Sequence, residues 1–299
     1  MDGAKRNSGG AFRQLYDTLY KKETNPFGSA SLDNAIVDMS RRQTPYTLYG
    51  LSFREYLDLE GIFKTEAIPL EDILNHHVKK AMEIVGSIKV APLFEAYLAH
   101  GYYPFSRESL EDFPSRLRET VTVVIDSDLP AVENVTYETL QKVKKLLMVI
   151  SEHVPFEPNM SELWRQLSTD NESGLKMLYA LDKAQVLALL TAKTKNYKSL
   201  TKPDKIFLGN PNLMNVLCPK VDKGNERETF FISQLRVLHD VRYPKQGDFL
   251  IDDKHLFEVG GKGKTFEQIA DVPDSYLAVD DTEVGSGCRI PLWLFGFLY

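Results

Sequence analysis

Residues 255–269 read HLFEVGGKGKTFEQI, an apolar run that ends in a glutamate and opens onto a glycine-lysine loop. The run His255-Leu256-Phe257-Glu258-Val259 is short and bounded by Gly260-Gly261, which predicts a buried strand stopping at a turn. Upstream, QGDFLI (246–251) predicts a second strand, and Asp248 stands ten positions before Glu258, a separation that a hairpin closes. Two carboxylates at neighbouring strand ends are the donor set of a hard divalent cation such as Mg²⁺, which in a nuclease supplies the nucleophile and stabilises the charge on phosphorus. A lysine normally stands two places beyond the glutamate, because alternate strand residues share a face. Here that place is Gly260. Lys262 and Lys264 follow in a glycine-rich loop that could curl a lysine back to the site; Glu228, on the predicted helix GNERETFFISQLRVL, is a further acidic candidate. The competing reading has Asp248 and Glu258 capping strand ends beside Lys or Arg neighbours, with the glycines only shaping a turn.

Outward from this stretch, KPDKIFLGN and SYLAVDD predict further strands, TFEQIADV a short helix, and IPLWLFGFLY an apolar terminal segment. Strands alternating with helices over 201–299 imply an α/β unit with a mixed sheet. Residues 136–200 give helix, helix, turn, helix and the β-type run VLALLTA, the order of a winged helix. Its presumptive recognition helix offers Lys176 and Lys183 against Asp170, Glu172 and Asp182, which leaves DNA reading and partner docking both open. Residues 61–135 are helical in pattern; 11–60 carry short helices near 11–22 and 31–42, a strand-like TPYTLYG (44–50), and the helix SFREYLDLEG with Ser52 and Glu55 at capping-box spacing. Residues 1–10 are small and polar, with order unexpected.

Lys and Arg number 36 against 42 Asp and Glu, a net charge of −6, so a general phosphate-binding surface is excluded and DNA contact must be local. The 2 cysteines, Cys218 and Cys288, show no metal-site or disulfide spacing, and the histidines form no ligand pair. No window has the apolar length of a membrane span, and the chain is expected to be cytoplasmic and free of membrane contact. No GxxxxGK[ST] loop occurs, hence no ATP site by that route. Arg41-Arg42, at a helix end, have two readings: contact with a nucleotide phosphate on a neighbouring subunit, or ordinary pairing with helix carbonyls and solvent.

Several strings together carry a family resemblance: GSASLDNAIVDMSRRQTPYTLYGLSFREYL (28–57), FEAYLAHGYYPF (94–105), KPDKIFLGNPNLM (202–214), ERETFFISQL (226–235), GDFLI (247–251), FEVGGKGKTFEQI (257–269) and IPLWLFGFLY (290–299). In order over 11–299 the chain resembles the bacterial and archaeal AAA+ ATPases with a C-terminal nuclease-like domain of unknown function, especially their Bacteroides-type branch. The resemblance implies an α+β multi-module chain. Residues 11–60 would be the remnant of an ATPase core whose P-loop lies upstream, 61–135 a helical segment, 136–200 a winged helix, and 201–299 a PD-(D/E)XK-like, restriction-endonuclease-like domain. It further implies that Arg41 or Arg42 is a trans-acting nucleotide contact, and that Glu228, Asp248, Glu258 and a lysine displaced to Lys262 are the nuclease-site residues, with Asp248 and Glu258 on Mg²⁺. The implied role is a DNA- or partner-binding module without ATP hydrolysis, through DNA, a protein partner or self-association; the alternative is a Mg²⁺-dependent endonuclease.

Overall fold

A computed structural model describes residues 49–132, 136–192 and 202–299. The expected disorder of 1–10, the helices near 11–22 and 31–42, most of the strand at 44–50, and Arg41 and Arg42 lie outside the described residues. The fold is α+β, with a helical half and a mixed five-stranded sheet.

Helix α1 (Phe53–Leu59) starts where the sequence says it should: the Ser52 hydroxyl accepts from the Glu55 N–H and the Glu55 carboxylate accepts from the Ser52 N–H. Helices α2 (Leu70–Val85) and α3 (Val90–Ala96) follow, the latter running on through a π turn at Tyr97–Gly101. Helix α4 (Phe113–Val123) likewise continues through a π turn at Val124–Asp128. Then come α5 (Tyr137–Ser151), α6 (Met160–Leu167) and α7 (Asn171–Lys183), each N-capped by the side chain of Thr136, Asn159 or Asp170. Strands β1 (Leu187–Leu190) and β2 (Lys205–Leu208) pair antiparallel, so the first strand of the expected 201–299 unit belongs to a hairpin begun in the expected 136–200 unit. A short helix that the sequence reading missed, α8 (Pro211–Leu217), follows; Asn210 caps it and proline occupies its first turn.

Helix α9 (Lys223–Leu235) leads into the sheet, ordered β3 (Val241–Arg242), β4 (Phe249–Ile251), β5 (His255–Gly260), β6 (Ser275–Val279), β7 (Arg289–Pro291). The first pairings are antiparallel and those of β5 with β6 and β6 with β7 are parallel, as a mixed sheet requires. The expected helix TFEQIADV is instead two successive turns, Phe266 to Ile269 and Ile269 to Val272. Apolar residues every third position suit a helix, but this segment is too short to nucleate one between glycines and Pro273. Its Phe266, Ile269 and Val272 fold down onto Leu256, Leu277 and Val279.

Two principal cores result. One gathers α4 to α8 and the outer residues of the β1–β2 hairpin. The other joins α1 to α3 with α9, the sheet and the C-terminal segment, so the described part of the expected ATPase remnant packs against the last strand's end. Ser52 Oγ donates to the Tyr299 carbonyl at 2.7 Å, Arg54 Nε to the same oxygen at 2.8 Å, and Phe53 packs edge-on against Phe297. At the seam between the cores, Arg236 on the end of α9 donates to the Leu187 carbonyl and pairs with Asp182 of α7 at 2.9 Å.

Candidate active site

Period-two alternation places the acidic residues. On α9, Phe231 packs against Phe249 and Phe257, with ring centroids 5.2 and 5.1 Å apart. Asp248 precedes Phe249 and Glu258 follows Phe257 in adjacent, paired strands, so fixing both phenylalanines in the core turns both carboxylates toward the other face. The local backbone supports this. Gly247 takes φ +80°, with Leu256 and the Phe257 carbonyl so close that a side chain there would crowd them. The Asp248 N–H donates to the Phe257 carbonyl at 2.9 Å, and Asp248 Oδ2 accepts from the Val259 N–H at 2.8 Å.

Glu258 is 1% exposed, and its Oε2 accepts no hydrogen bond. The charge nearest to that oxygen is the Lys264 ammonium, at 3.4 Å. Lys264 reaches it through the space of a missing side chain: a Cβ on Gly260 would lie 2.9 Å from the Cβ, Cγ and Cδ of Lys264. The lysine expected at 260 is therefore replaced by an amine arriving from 264 through the volume that Gly260 leaves open. Lys262, the sequence candidate, is exposed, and its carbonyl accepts from Arg289. Of the two loop amines, Lys264 and not Lys262 is the one brought to Glu258. Spacing could not separate the two amines, because the loop leaves the strand register at Gly260.

Glu228 stands one turn before Phe231 on α9 and pairs with Lys205 of β2 at 2.6 Å, with both side chains mostly buried. Burial pushes the Glu228 carboxyl up, Lys205 opposes this, and the Asp248 charge adds to it. Burial likewise pushes Glu258 up, Lys264 opposing and Asp248 adding. The Asp248 charge thus raises, and the Lys264 charge lowers, the carboxyls of both glutamates. Among the described residues no group of three or more His, Cys, Asp or Glu side chains stands at metal-holding geometry. Two carboxylates with an unsatisfied buried oxygen still fit Mg²⁺, which keeps several waters and takes one or two protein carboxylates.

The raised carboxyls predict a pH dependence. A carboxyl raised in the folded state favours folding fully below its unfolded value, near 4.5, and that contribution disappears as pH rises through the folded value. The contributions of Glu228 and Glu258 to metal-free stability should therefore fall as pH climbs above about 4.5. Glu258→Gln, which cannot ionise, should show a shallower loss. Urea midpoints for both proteins across this range measure the difference; parallel curves would mean that Glu258 is unperturbed.

No protein-family model matches the chain, and no solved structure matches it. It is 26% identical over 285 residues to the uncharacterized protein MJ1637 of Methanocaldococcus jannaschii. That similarity covers 86% of this chain and 59% of the relative, so the chain spans less than two thirds of the relative's length. Among the described residues no helix is long and apolar enough to cross a membrane.

Proposed function

We propose that this chain is a divalent-metal-dependent phosphodiester hydrolase acting on DNA, with a PD-(D/E)XK-like site formed by Asp248, Glu258 and Lys264 and supported by Glu228. The carrying observation is the Lys264 ammonium 3.4 Å from the buried, unsatisfied Glu258 oxygen, in the space opened by Gly260. The buried Glu258 carboxylate has the Lys264 ammonium as its ion-pair partner and one oxygen without a well-formed hydrogen bond, an arrangement that costs stability and so favours a retained role over a relic. Asp248 and Glu258 would hold Mg²⁺, which when bound supplies an acidified water and neutralises charge on the phosphate. Lys264 donates hydrogen bonds toward the attacking water or a non-bridging phosphate oxygen and offsets charge that develops there. Glu228 and Lys205 extend the charged rim toward the β1–β2 hairpin.

The second reading, a binding module of the AAA+-associated family type, is favoured by the helical half. Three capped helices followed by an antiparallel hairpin have the order of a winged helix. Its cations are largely committed internally: Lys142 and Lys145 donate to the carbonyls of Ser168 and Gln166, Arg165 pairs with Glu162, and Lys176 pairs with Glu172. A phosphate-reading surface would leave such groups available, so this half suits a protein partner better than DNA.

Purified protein with Mg²⁺ or Mn²⁺ should nick supercoiled plasmid, and EDTA should abolish nicking until metal is restored. Plasmid that stays supercoiled with either metal would overturn the hydrolase reading and leave the binding one.

A further inference from the structure

We infer that Arg289, on β7, is the positioning residue that aims the Lys264 ammonium at Glu258; this rests on the phosphodiesterase reading above. Its guanidinium donates from Nη1 to the Lys264 carbonyl and from Nη2 to the Lys262 carbonyl, each at 2.8 Å. The two acceptors flank Gly263, where an added Cβ would meet nothing within 4 Å. A planar fork that grips carbonyls two residues apart fixes the orientation of the peptide segment between them, which a single contact does not.

The rest of the loop is anchored in the same direction. The Lys264 N–H donates to the Gly261 carbonyl at 2.9 Å, closing the turn, and the Asp280 N–H donates to the Gly260 carbonyl at 2.8 Å, tying the loop's first foot to the end of β6. Asp280 is in turn held by Arg227 of α9 at 2.8 Å. Arg289 is itself rigidly placed: it lies opposite Leu277 in the parallel β6–β7 pair, and it exchanges backbone hydrogen bonds with Ser286 at 3.0 Å. Without the fork, the loop would be fixed at Gly260 but free at its crest, and the amine would leave the carboxylate even though Gly260 still offered it space. A lysine carried on a strand needs no such device. A lysine carried on a glycine loop does, because each glycine adds conformations that the folded loop must exclude.

The test is a double-mutant comparison on plasmid nicking. Arg289→Met should lower kcat on the order of tenfold to a hundredfold, with KM for plasmid little changed, because the reacting groups are misplaced while DNA binding is not. Arg289→Lys should fall in the same direction, since a point charge cannot span both carbonyls; an effect of charge alone would leave it near wild type. On a Lys264→Ala background, Arg289→Met should cost nothing further. Multiplying losses would overturn the inference while leaving the hydrolase reading intact, and unchanged melting curves for Arg289→Lys guard against simple unfolding.

Absence of nicking by wild-type protein with both metals would count against the hydrolase reading instead. The clamp is then judged by the NMR signal of the Lys264 ammonium, assigned by its loss in Lys264→Ala. Collapse of that signal onto those of exposed lysines in Arg289→Met supports the clamp, and an unmoved signal overturns it.

Discussion

Lys264→Ala is expected to reduce plasmid nicking on the order of a hundredfold to a thousandfold, the loss typical when one donor to developing charge is removed, while Lys262→Ala leaves it within about twofold. The difference follows from position: the Lys264 ammonium is 3.4 Å from Glu258, and Lys262 is exposed. Gly260 provides the decisive companion experiment. Adding a Cβ there places it 2.9 Å from three carbons of Lys264, far tighter than ordinary contact, so Gly260→Ala should evict the amine and approach the Lys264→Ala loss. On a Lys264→Gly background, which also removes the Cβ, the space is empty and Gly260→Ala should be silent. Gly260→Lys combined with Lys264→Gly should recover part of the activity, because residue 260 belongs to β5 two places beyond Glu258, on the same face. Nicking rates at saturating Mg²⁺ decide it. Equal losses for the two single lysine variants would return the role to both amines or to neither.

Asp248→Asn should have the larger effect, a loss on the order of a thousandfold or more, because it removes a cation-binding charge while keeping the side chain's shape. The asparagine oxygen can still accept from the Val259 N–H, so the β4–β5 pair should stay closed. Metal-free stability should be unchanged or higher, since the Asp248 charge is one of the causes that raise Glu228 and Glu258. Asp248→Ala should lose activity equally but also cost about 1 kcal/mol of stability or more, through the Val259 N–H left without that acceptor. Thermal unfolding with and without Mg²⁺ separates these effects. Wild type should melt higher with metal, by linkage, and neither variant should shift. A Mg²⁺-dependent shift retained in Asp248→Asn would remove Asp248 from the cation site.

The strands and helices around the site were legible because their signals are local. HLFEV and QGDFLI carry the apolar residues and turn boundaries of a hairpin, and the structure pairs Phe249 with Phe257 as that reading requires. The capping box of Ser52 and Glu55 is a short-range pattern and was equally readable. What escaped was set by distance. Nothing in SFREYL says that α1 packs on Trp293 to Tyr299, and so the first described helix was assigned to a different unit from the sheet it completes. TFEQIADV has helical spacing, yet the surface offered by Leu256, Leu277 and Val279 is met as well by two turns. The sequence does not separate Lys264 from Lys262, nor point to Arg289, for one reason: beyond Gly260 the chain leaves a periodic element, and the loop is held by a β7 arginine 25 residues beyond Lys264. The empty place at Gly260 was the available hint, as room for a side chain from elsewhere.

The docking of α1 against the chain's far end has a bearing on how the protein is made. The Ser52 hydroxyl finds its acceptor 247 residues later in sequence, so its contact waits until Tyr299 has emerged from the ribosome. At roughly 5–20 residues per second, α1 waits on the order of ten seconds or more for that contact. During synthesis α1 thus keeps part of its apolar surface open until residues 290–299 arrive, and a product stalled before them would leave that part uncovered.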